Sequence, residues 1–347
     1  MPLCCKVKMA ERDKAARIIK KTNIGELVGD LSGEYTVFIP LADEEGVSFQ
    51  KFSGQALALT GYSNSYLPPA KCFLFPPVWK KFIPCNIEYM EDQGENKAIF
   101  GVRPCDAQSI TLLDKALHDN EFYRNKRRRL LIIVTGCNFP LDTCFCTSVK
   151  GGPFSVEGAD IFITDMGDDL LVEDISGKGA KFLADIFNAA SRDMDRREEI
   201  ARKSHAMIKG TLRLDGLPEK LEKTDKTLER NGVWRKLSEG CSDCGLCTSI
   251  CPTCHCCFVL DDIMDMVIEE TGPKTAEDWD PCMFNIFMSA GLTGPPPKGH
   301  QRLQRRIMDK FCHAAKTLGQ PFCVGCGRCI INCKEQLNLI ETLNALT

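Results

Sequence analysis

The sequence predicts an α/β domain followed by an α-helical domain that carries two runs of closely spaced cysteines. Short apolar segments alternate with helical patterns over the first half of the chain, which is typical of an α/β fold. Four cysteines lie close together at two places near the C-terminus, and helical rather than strand periodicity separates the two places. With 347 residues the chain is long enough for two domains. We place them at residues 1–190 and 236–347, joined by a charged helical connector at residues 191–235.

Composition narrows the class of protein before any motif is considered. A hydrophobic content of 44% with 26% charged residues is ordinary for a soluble globular protein. The net charge of −3 gives no indication of a nucleic-acid partner, and no stretch approaches the roughly 20 apolar residues that span a bilayer. The N-terminus has no apolar segment typical of a signal peptide. Eight of the 21 cysteines lie at metal-cluster spacing, which needs reduced thiols, so the cytoplasm is the expected compartment.

The first elements are predicted from periodicity and turn residues. Apolar residues recur at helical spacing over residues 11–28, which predicts a helix. Tyr35–Pro40 and Val47–Phe52 are predicted to pair as a hairpin around the acidic, glycine-containing turn at residues 43–46. The prolines within residues 65–77 exclude regular helix and central strand there, because proline lacks the backbone donor.

The α/β pattern follows. Lys97–Val102, Leu130–Thr135 and Ile161–Thr164 are short apolar runs typical of buried strands. Ala107–Leu117 is predicted as a helix between the first two strands. An apolar stripe over residues 180–190 predicts another helix after the third strand.

The C-terminal domain is predicted to be mostly helical. It begins near Trp234, and 71 residues (252 through 322) lie between Cys251 and Cys323, far more than a minimal ferredoxin uses. Residues 303–318 carry a clear apolar stripe at helical spacing. We therefore expect helices around the cysteines instead of the small symmetrical ferredoxin sandwich.

Both cysteine runs have the spacing C-x2-C-x2-C-x3-C, which is the bacterial ferredoxin spacing for a 4Fe–4S cluster. A zinc site needs only two C-x2-C pairs, so four cysteines in one run exceed that requirement. The runs consist of Cys241, Cys244, Cys247 and Cys251, and of Cys323, Cys326, Cys329 and Cys333. The fold class is therefore an α/β N-terminal domain followed by an α-helical dicluster ferredoxin domain with two 4Fe–4S clusters.

In such pairs, the fourth cysteine of each run usually binds the other cluster. The first cluster is then assigned to Cys241, Cys244, Cys247 and Cys333, and the second to Cys323, Cys326, Cys329 and Cys251. Gly245, Gly325 and Gly327 are expected to adopt positive φ and to let the loops approach the clusters. Pro252 after the first run matches the usual ending, whereas Lys334 follows the second.

Four cysteines outside the runs form a further candidate site. Cys105 follows the strand Lys97–Val102, and Cys137 follows Leu130–Thr135. Cys144 and Cys146 come shortly afterwards. If the two strands are parallel neighbours, these loops leave the same edge of the sheet, where α/β proteins place ligands. Two interpretations stay open here, a third iron–sulfur centre or a set of small buried residues.

Three more cysteines follow the first run immediately, at Cys254, Cys256 and Cys257. They are interpreted either as small buried residues packed against a cluster or as a reactive thiol pair or extra ligand. His255 lies among them and, as a lone histidine, is interpreted as structural.

Taken together, the motifs of this chain resemble one known family. The resemblance covers most of the chain and depends on motifs that occur in this order: Leu67–Pro69, Phe73–Pro77, Gly101-Val-Arg-Pro-Cys105-Asp106, Cys144-Phe-Cys146-Thr-Ser148, Gly151-Gly152-Pro153, Cys241–Cys251, Pro252-Thr-Cys254-His255-Cys256, Trp279–Phe284 and Cys323–Cys333. The family comprises the beta subunits of sulfhydrogenases and the similar iron–sulfur subunits of anaerobic sulfite reductases.

The resemblance implies an electron-transfer subunit within a larger cytoplasmic redox complex of anaerobic metabolism. The implied partners are a flavin-containing subunit linked to NAD(P)H or ferredoxin, and hydrogenase, sulfite reductase or heterodisulfide-reductase-type subunits. The flavin is expected on a partner subunit. No nucleic acid and no transmembrane segment are expected.

Three hypotheses about function stay open at this point. The first is an electron relay between a terminal hydrogenase or reductase and a flavin subunit. The second is a catalytic subunit that reduces a disulfide or other sulfur substrate at Cys105, Cys137, Cys144 and Cys146. The third is a structural adaptor whose clusters only staple helices, which paired cluster spacing and the lack of a basic face disfavour.

Overall fold

A mixed β-sheet forms the centre of the N-terminal region. The protein is described by a computed structural model over residues 16–43, 46–55, 68–75, 94–184, 186–223, 233–255 and 299–346. Within these residues the sheet has seven strands, in the order β1-β7-β6-β5-β4-β2-β3. They are β1 (Ala16–Lys20), β2 (Thr36–Asp43), β3 (Gly46–Lys51), β4 (Lys97–Val102), β5 (Leu130–Thr135), β6 (Ile161–Asp165) and β7 (Asp169–Asp174).

The middle of the sheet is parallel and its edges are antiparallel. β2, β4, β5 and β6 run parallel to one another, while β3 pairs antiparallel with β2, and β7 with both β6 and β1. Every residue of β5 is buried, because a parallel strand covered on both faces needs apolar residues at each position. The three predicted apolar strands and the predicted hairpin are thus confirmed.

Helices lie on both faces of the sheet and make up most of the C-terminal region. They are α1 (Ile24–Ser32), α2 (Pro69–Phe73), α3 (Pro104–Ala116), α4 (Glu121–Arg128), α5 (Ser191–Met207), α6 (Val233–Leu237), α7 (Leu246–Ser249), α8 (Gly299–Met308), α9 (Ala314–Leu318), α10 (Arg328–Ile331) and α11 (Leu339–Leu346). Residues 217–223 are also helical. α1 packs with Phe100 and Ile133 on one face, and α3 packs with Ile99 and Ile132 on the other, since neighbouring strand residues point to opposite faces.

One predicted helix is wrong in part, and another is wrong. Of the helix expected at residues 11–28, residues 24–28 are helical and begin α1 (Ile24–Ser32). Residues 16–20 of the helix expected at 11–28 form the edge strand β1, in which Ile18 lies opposite Leu171; residues 11–15 lie outside the described part. The helix expected over residues 180–190 is only the 3-10 turn Ala180–Phe182. After it, Asn188 forms an isolated antiparallel bridge with Arg17, and the Ile18 N–H donates to the Phe187 carbonyl at 2.9 Å. In both places hydrogen bonds to a neighbouring strand outweigh a helical pattern.

The proline-rich region departs from its prediction as well. Pro69 occupies the first turn of α2, where the missing donor costs nothing because the first helical N–H groups have no partner within the helix. The exclusion of helix was therefore wrong for residues 69–73. Residues 65–67 and 76–77 lie outside the described part of the chain.

The helical stripe predicted over residues 303–318 is confirmed. α8 and α9 are continuous except for the π-helical turn Asp309–His313 between them, a distortion that is frequent at functional sites. Leu303, Ile307 and Phe311 are buried in a core with Trp234. Residues 256–298 of the segment between the cysteine runs lie outside the description.

The second cysteine run packs directly on the α/β region. Phe322, Val324 and Cys326 belong to the same buried core as Ile99 of β4 and Ile132 of β5. The division of the chain into domains stays a prediction. Over the residues that can be described, no helix has the length and apolar character needed to cross a membrane.

Candidate metal centres

Both cysteine runs adopt the same local structure. Gly245, with φ of +69°, turns the first run into α7, and Gly327, with φ of +72°, turns the second into α10. Only glycine takes this conformation at little cost. The Thr248 N–H donates to the Gly245 carbonyl at 3.0 Å, and the Ile330 N–H donates to the Gly327 carbonyl at 3.0 Å. The two runs therefore present their cysteines from equivalent positions.

The last cysteine of the second run lies beside the first run. Cys241, Cys244, Cys247 and Cys333 line one cavity, to which Cys329 also contributes. Burial raises the pKa of the Cys247 thiol, and the nearby Cys251, Cys244 and Cys333 add to that rise. The first three thiols of one run and the fourth thiol of the other thus form one group, which we name the outer quartet because Cys244 is exposed.

A second group forms around Cys251. Burial raises the pKa of Cys323 to about 12 and raises those of Cys326 and Cys329, and Cys251 adds to the rise at all three. We name these four thiols the inner quartet, since Cys326 is buried in the core beside the sheet. We define the two quartets by the crossed assignment that the ferredoxin spacing predicts, and which thiols bind iron stays a prediction.

Two buried cations lie beside the quartets, Lys310 at the inner quartet and Arg306 between the inner and outer quartets. Lys310, in the π-helical turn, donates from Nζ to Thr253 Oγ1 at 2.7 Å and to the Phe322 carbonyl at 3.1 Å. Burial alone lowers the pKa of Lys310, but the neighbouring Cys251 and Cys254 sulfurs outweigh it and raise that pKa. Arg306 Nη2 donates to the Cys247 carbonyl at 3.0 Å.

The positive charge of these two side chains shows whether the quartets suit an anionic cluster. Among the residues that the structure describes, no carboxylate pairs with Lys310 or Arg306. A buried charge is costly unless an opposite charge offsets it. Thiolates that hold an iron–sulfur cluster supply that negative charge, so the residues fit the group.

The residues after the first run support the packing interpretation of Cys254. Its thiol is buried and hydrogen-bonds to Cys251, where it favours the thiolate form and lowers the Cys251 pKa. Lys71 Nζ donates to the Cys254 carbonyl at 2.8 Å. His255 packs edge-on against Phe322, and burial lowers its pKa. Cys256 and Cys257 lie outside the described residues.

Electrostatic interactions connect the four N-terminal cysteines, with Cys105 connected through Cys144. β4 and β5 are parallel neighbours, so Cys105 in the first turn of α3 and Cys137 after β5 share an edge, as predicted. Burial raises the pKa of Cys144 and of Cys146 to about 12, and Cys137 adds to both. Burial also raises the pKa of Cys105, and Cys144 contributes to that rise. We name these four thiols the sheet-edge quartet.

The sheet-edge quartet abuts the second cysteine run. The Phe145 N–H donates to the Gly325 carbonyl at 2.8 Å, and Cys144 Sγ lies 3.7 Å from the Cys326 carbonyl. A Cβ on Gly325 would lie 2.5 Å from the Cys146 backbone nitrogen. Gly325 has positive φ as expected, but the close approach that needs glycine is to this loop.

Sequence reasoning missed the charged residues around the thiols. Asp106 and Arg328 form a buried bidentate pair with distances of 2.7 and 2.8 Å, and nothing in either motif indicates that partner. Arg306 and Lys310 had a detectable signal. They lie four residues apart beside the apolar stripe, so both cations occupy one face of a helix that is otherwise buried.

The comparisons with known proteins agree with this geometry. Residues 240–337 match the family described as a 4Fe-4S dicluster domain. The chain is 30% identical over 322 residues to the Sulfhydrogenase 2 subunit beta of Pyrococcus furiosus, which covers 89% of this chain and 91% of that protein. No solved structure matches the chain.

Proposed function

Since this chain belongs to the sulfhydrogenase beta subunit family, we propose that it relays single electrons between a terminal redox unit and a flavin-containing subunit. The family together with the dicluster domain supports an iron–sulfur electron-transfer subunit. The proposed neighbours are a flavin subunit linked to NAD(P)H or ferredoxin, and a hydrogenase, sulfite reductase or heterodisulfide-reductase-type unit, all in the cytoplasm.

The observation that carries the proposal is the crossed grouping of the thiols. Cys333 lies with the first run and Cys251 with the second, as the ligation of paired ferredoxin clusters requires. We assign one 4Fe–4S cluster to each of the outer and inner quartets. When bound, the clusters supply one-electron redox chemistry.

The chain's own residues set different environments for the two centres. Cys244 is exposed, which places the outer quartet where a partner protein can approach. Cys326 of the inner quartet is buried beside the sheet, Lys310 lies next to Cys251, and Arg306 interacts with thiols of both quartets. Electrons would pass between a surface site and the interior of the complex. The word subunit in the relative's name supports membership of such a complex.

A catalytic role is the second candidate, because the sheet-edge quartet brings four thiols together outside the dicluster domain. In that case Cys105, Cys137, Cys144 and Cys146 reduce a disulfide or another sulfur compound. Substrate-dependent reoxidation of the reduced, isolated chain distinguishes the two roles. The relay predicts reoxidation only by viologen dyes or partner subunits, whereas catalytic reoxidation by a sulfur compound alone contradicts it.

Anaerobic affinity purification of the chain from its native host tests the relay directly. We expect both a hydrogenase or reductase unit and a flavin-containing subunit to co-purify, and the dithionite-reduced sample to show EPR signals of two interacting 4Fe–4S clusters. Purification of the chain without redox partners, or fewer than about eight irons per chain, contradicts the proposal.

A further inference from the structure

Three contacts fix the backbone next to Cys137 and at Cys146 of the sheet-edge quartet. Arg103 Nη1 donates to the Gly136 carbonyl at 3.0 Å, next to Cys137. A Cβ on Gly136 would lie 2.6 Å from the ring of Phe154. The Gly151 N–H donates to the Cys146 carbonyl at 3.0 Å. The backbone next to Cys137 and at Cys146 is thus held in place at the edge of the sheet.

Burial disfavours the thiolate form of the free thiols at this site, and two arginines partly oppose it. Burial raises the pKa of Cys137, and the guanidinium of Arg103 acts in the opposite direction. Burial and the Asp106 carboxylate raise the pKa of Cys105, and Arg328 partly opposes that rise. Arginines beside buried thiols offset the negative charge of a metal–thiolate group.

The donor set and its spacing limit what the quartet can bind. Four thiolates suit either zinc or an iron–sulfur cluster. Within the described ranges, however, no three His, Cys, Asp or Glu side chains stand close enough together to hold one metal ion. The same holds for the outer and inner quartets. Because the sheet-edge quartet touches the second cysteine run, we favour an iron–sulfur centre, which can exchange electrons with that run, over zinc, which has no redox chemistry.

We propose that Cys105, Cys137, Cys144 and Cys146 hold a third iron–sulfur centre at the edge of the sheet. The contact of Cys144 Sγ with the Cys326 carbonyl at 3.7 Å places this centre next to the inner quartet. The three centres then follow one another in the order sheet edge, inner quartet, outer quartet. An electron lost by one centre is gained by the next, so the third centre lengthens the relay. This order of transfer rests on the relay function proposed above.

Iron, acid-labile sulfide and zinc analysis of the anaerobically purified full-length chain tests the third centre. We expect about ten or about twelve irons per chain, for a 2Fe–2S or a 4Fe–4S third centre, with matching sulfide. The variant Cys144→Ser/Cys146→Ser should contain about eight irons and keep the EPR signals of the dicluster domain. Cys312→Ser is the matched control, because Cys312 is buried in a different core and its hydrogen bond to the Pro218 carbonyl suits a hydroxyl equally.

The outcomes separate this proposal from the relay. About eight irons in the wild-type chain overturns the third centre and leaves the relay standing. One zinc per chain that the double variant loses also overturns it, in favour of a zinc site. Fewer than about eight irons counts against the relay itself. If the double variant does not fold, integration of the EPR spins of the fully reduced wild-type chain decides, since three centres give about three spins and two give about two.

Discussion

The two cysteine runs have the same local structure but opposite surroundings. In the first run, Cys244 is exposed and the residue before Cys247 is the half-buried Leu246. In the second, Cys326 is buried beside the sheet and the equivalent residue is Arg328, which is 1% exposed and paired with Asp106. A repeated motif thus forms a surface site at one place and a buried junction with the α/β region at the other.

This difference assigns separate tasks to two similar motifs. The first run is accessible to a partner, whereas Phe322 and Val324 of the second lie in the core of the sheet region. Environment tunes cluster potential and stability even when the ligands are the same. Four measurements test whether the two runs differ in this way, and they follow in decreasing order of expected effect.

The buried ion pair should matter most. Asp106→Ala leaves Arg328 as an uncompensated buried charge, which is expected to cost about 3–5 kcal/mol of unfolding free energy. Leu246→Ala, at the equivalent position of the first run, should cost about 1 kcal/mol. Anaerobic chemical denaturation measures both, and Glu199→Ala, on an exposed pair with Lys203, should cause no measurable loss. Equal midpoints for Asp106→Ala and Leu246→Ala would remove the contrast.

The close approach at Gly325 should come next. A Cβ there meets the backbone of Phe145 and Cys146 at 2.5 Å, and its φ of +62° is unfavourable for alanine. Gly325→Ala should cost about 2–4 kcal/mol, from conformational strain and overpacking together. Gly319→Ala is the control, with φ of +70° and open space around the added methyl, and should cost about 1 kcal/mol. Comparable thermal stability of the two variants would mean that the loop is not packed against the run.

The buried lysine should shift the potential of the inner centre. Reduction adds negative charge, so removal of the Lys310 cation makes the reduced form less stable and lowers the midpoint potential. Lys310→Met should lower one cluster potential by roughly 50–100 mV, from the Coulomb energy of one charge at several ångströms. EPR-monitored redox titration measures it. Lys316→Met, at an exposed lysine paired with Glu222, should leave both potentials unchanged, and an equal shift in both variants contradicts the assigned position.

The smallest effect concerns the order of iron loss. Because Cys244 is exposed and Cys326 is buried, limited treatment with a chelator and air should release the irons of the outer quartet several-fold faster than those of the inner quartet. Iron release followed alongside EPR should show one cluster signal fading while the other persists. Simultaneous loss would indicate that the two sites are equally accessible.

The fold was predictable where residues alone decide it. β5 is an uninterrupted apolar run, and the stripe over α8 and α9 has one clear period, so periodicity identifies both. The prediction failed at β1, because the apolar residues of this short strand also fit a helical spacing and only its pairing with β7 identifies it as a strand. It failed again near Phe187, whose side chain is 84% exposed although it was assigned to a buried stripe. Both segments owe their conformation to strands distant in sequence.

The candidate sites divide in the same way. The residues alone predicted the dicluster motif and the family, which the comparisons confirm, because ferredoxin ligand spacing is local and each loop closes on a few residues. Which thiols bind iron stays a prediction. Only the tertiary structure decided that the second run is buried against the sheet, that Asp106 pairs with Arg328 across 222 positions of sequence, and that Cys144 touches the second run. Such contacts join residues that are far apart in sequence and depend on how the elements pack together, so the spacing within one motif does not indicate them.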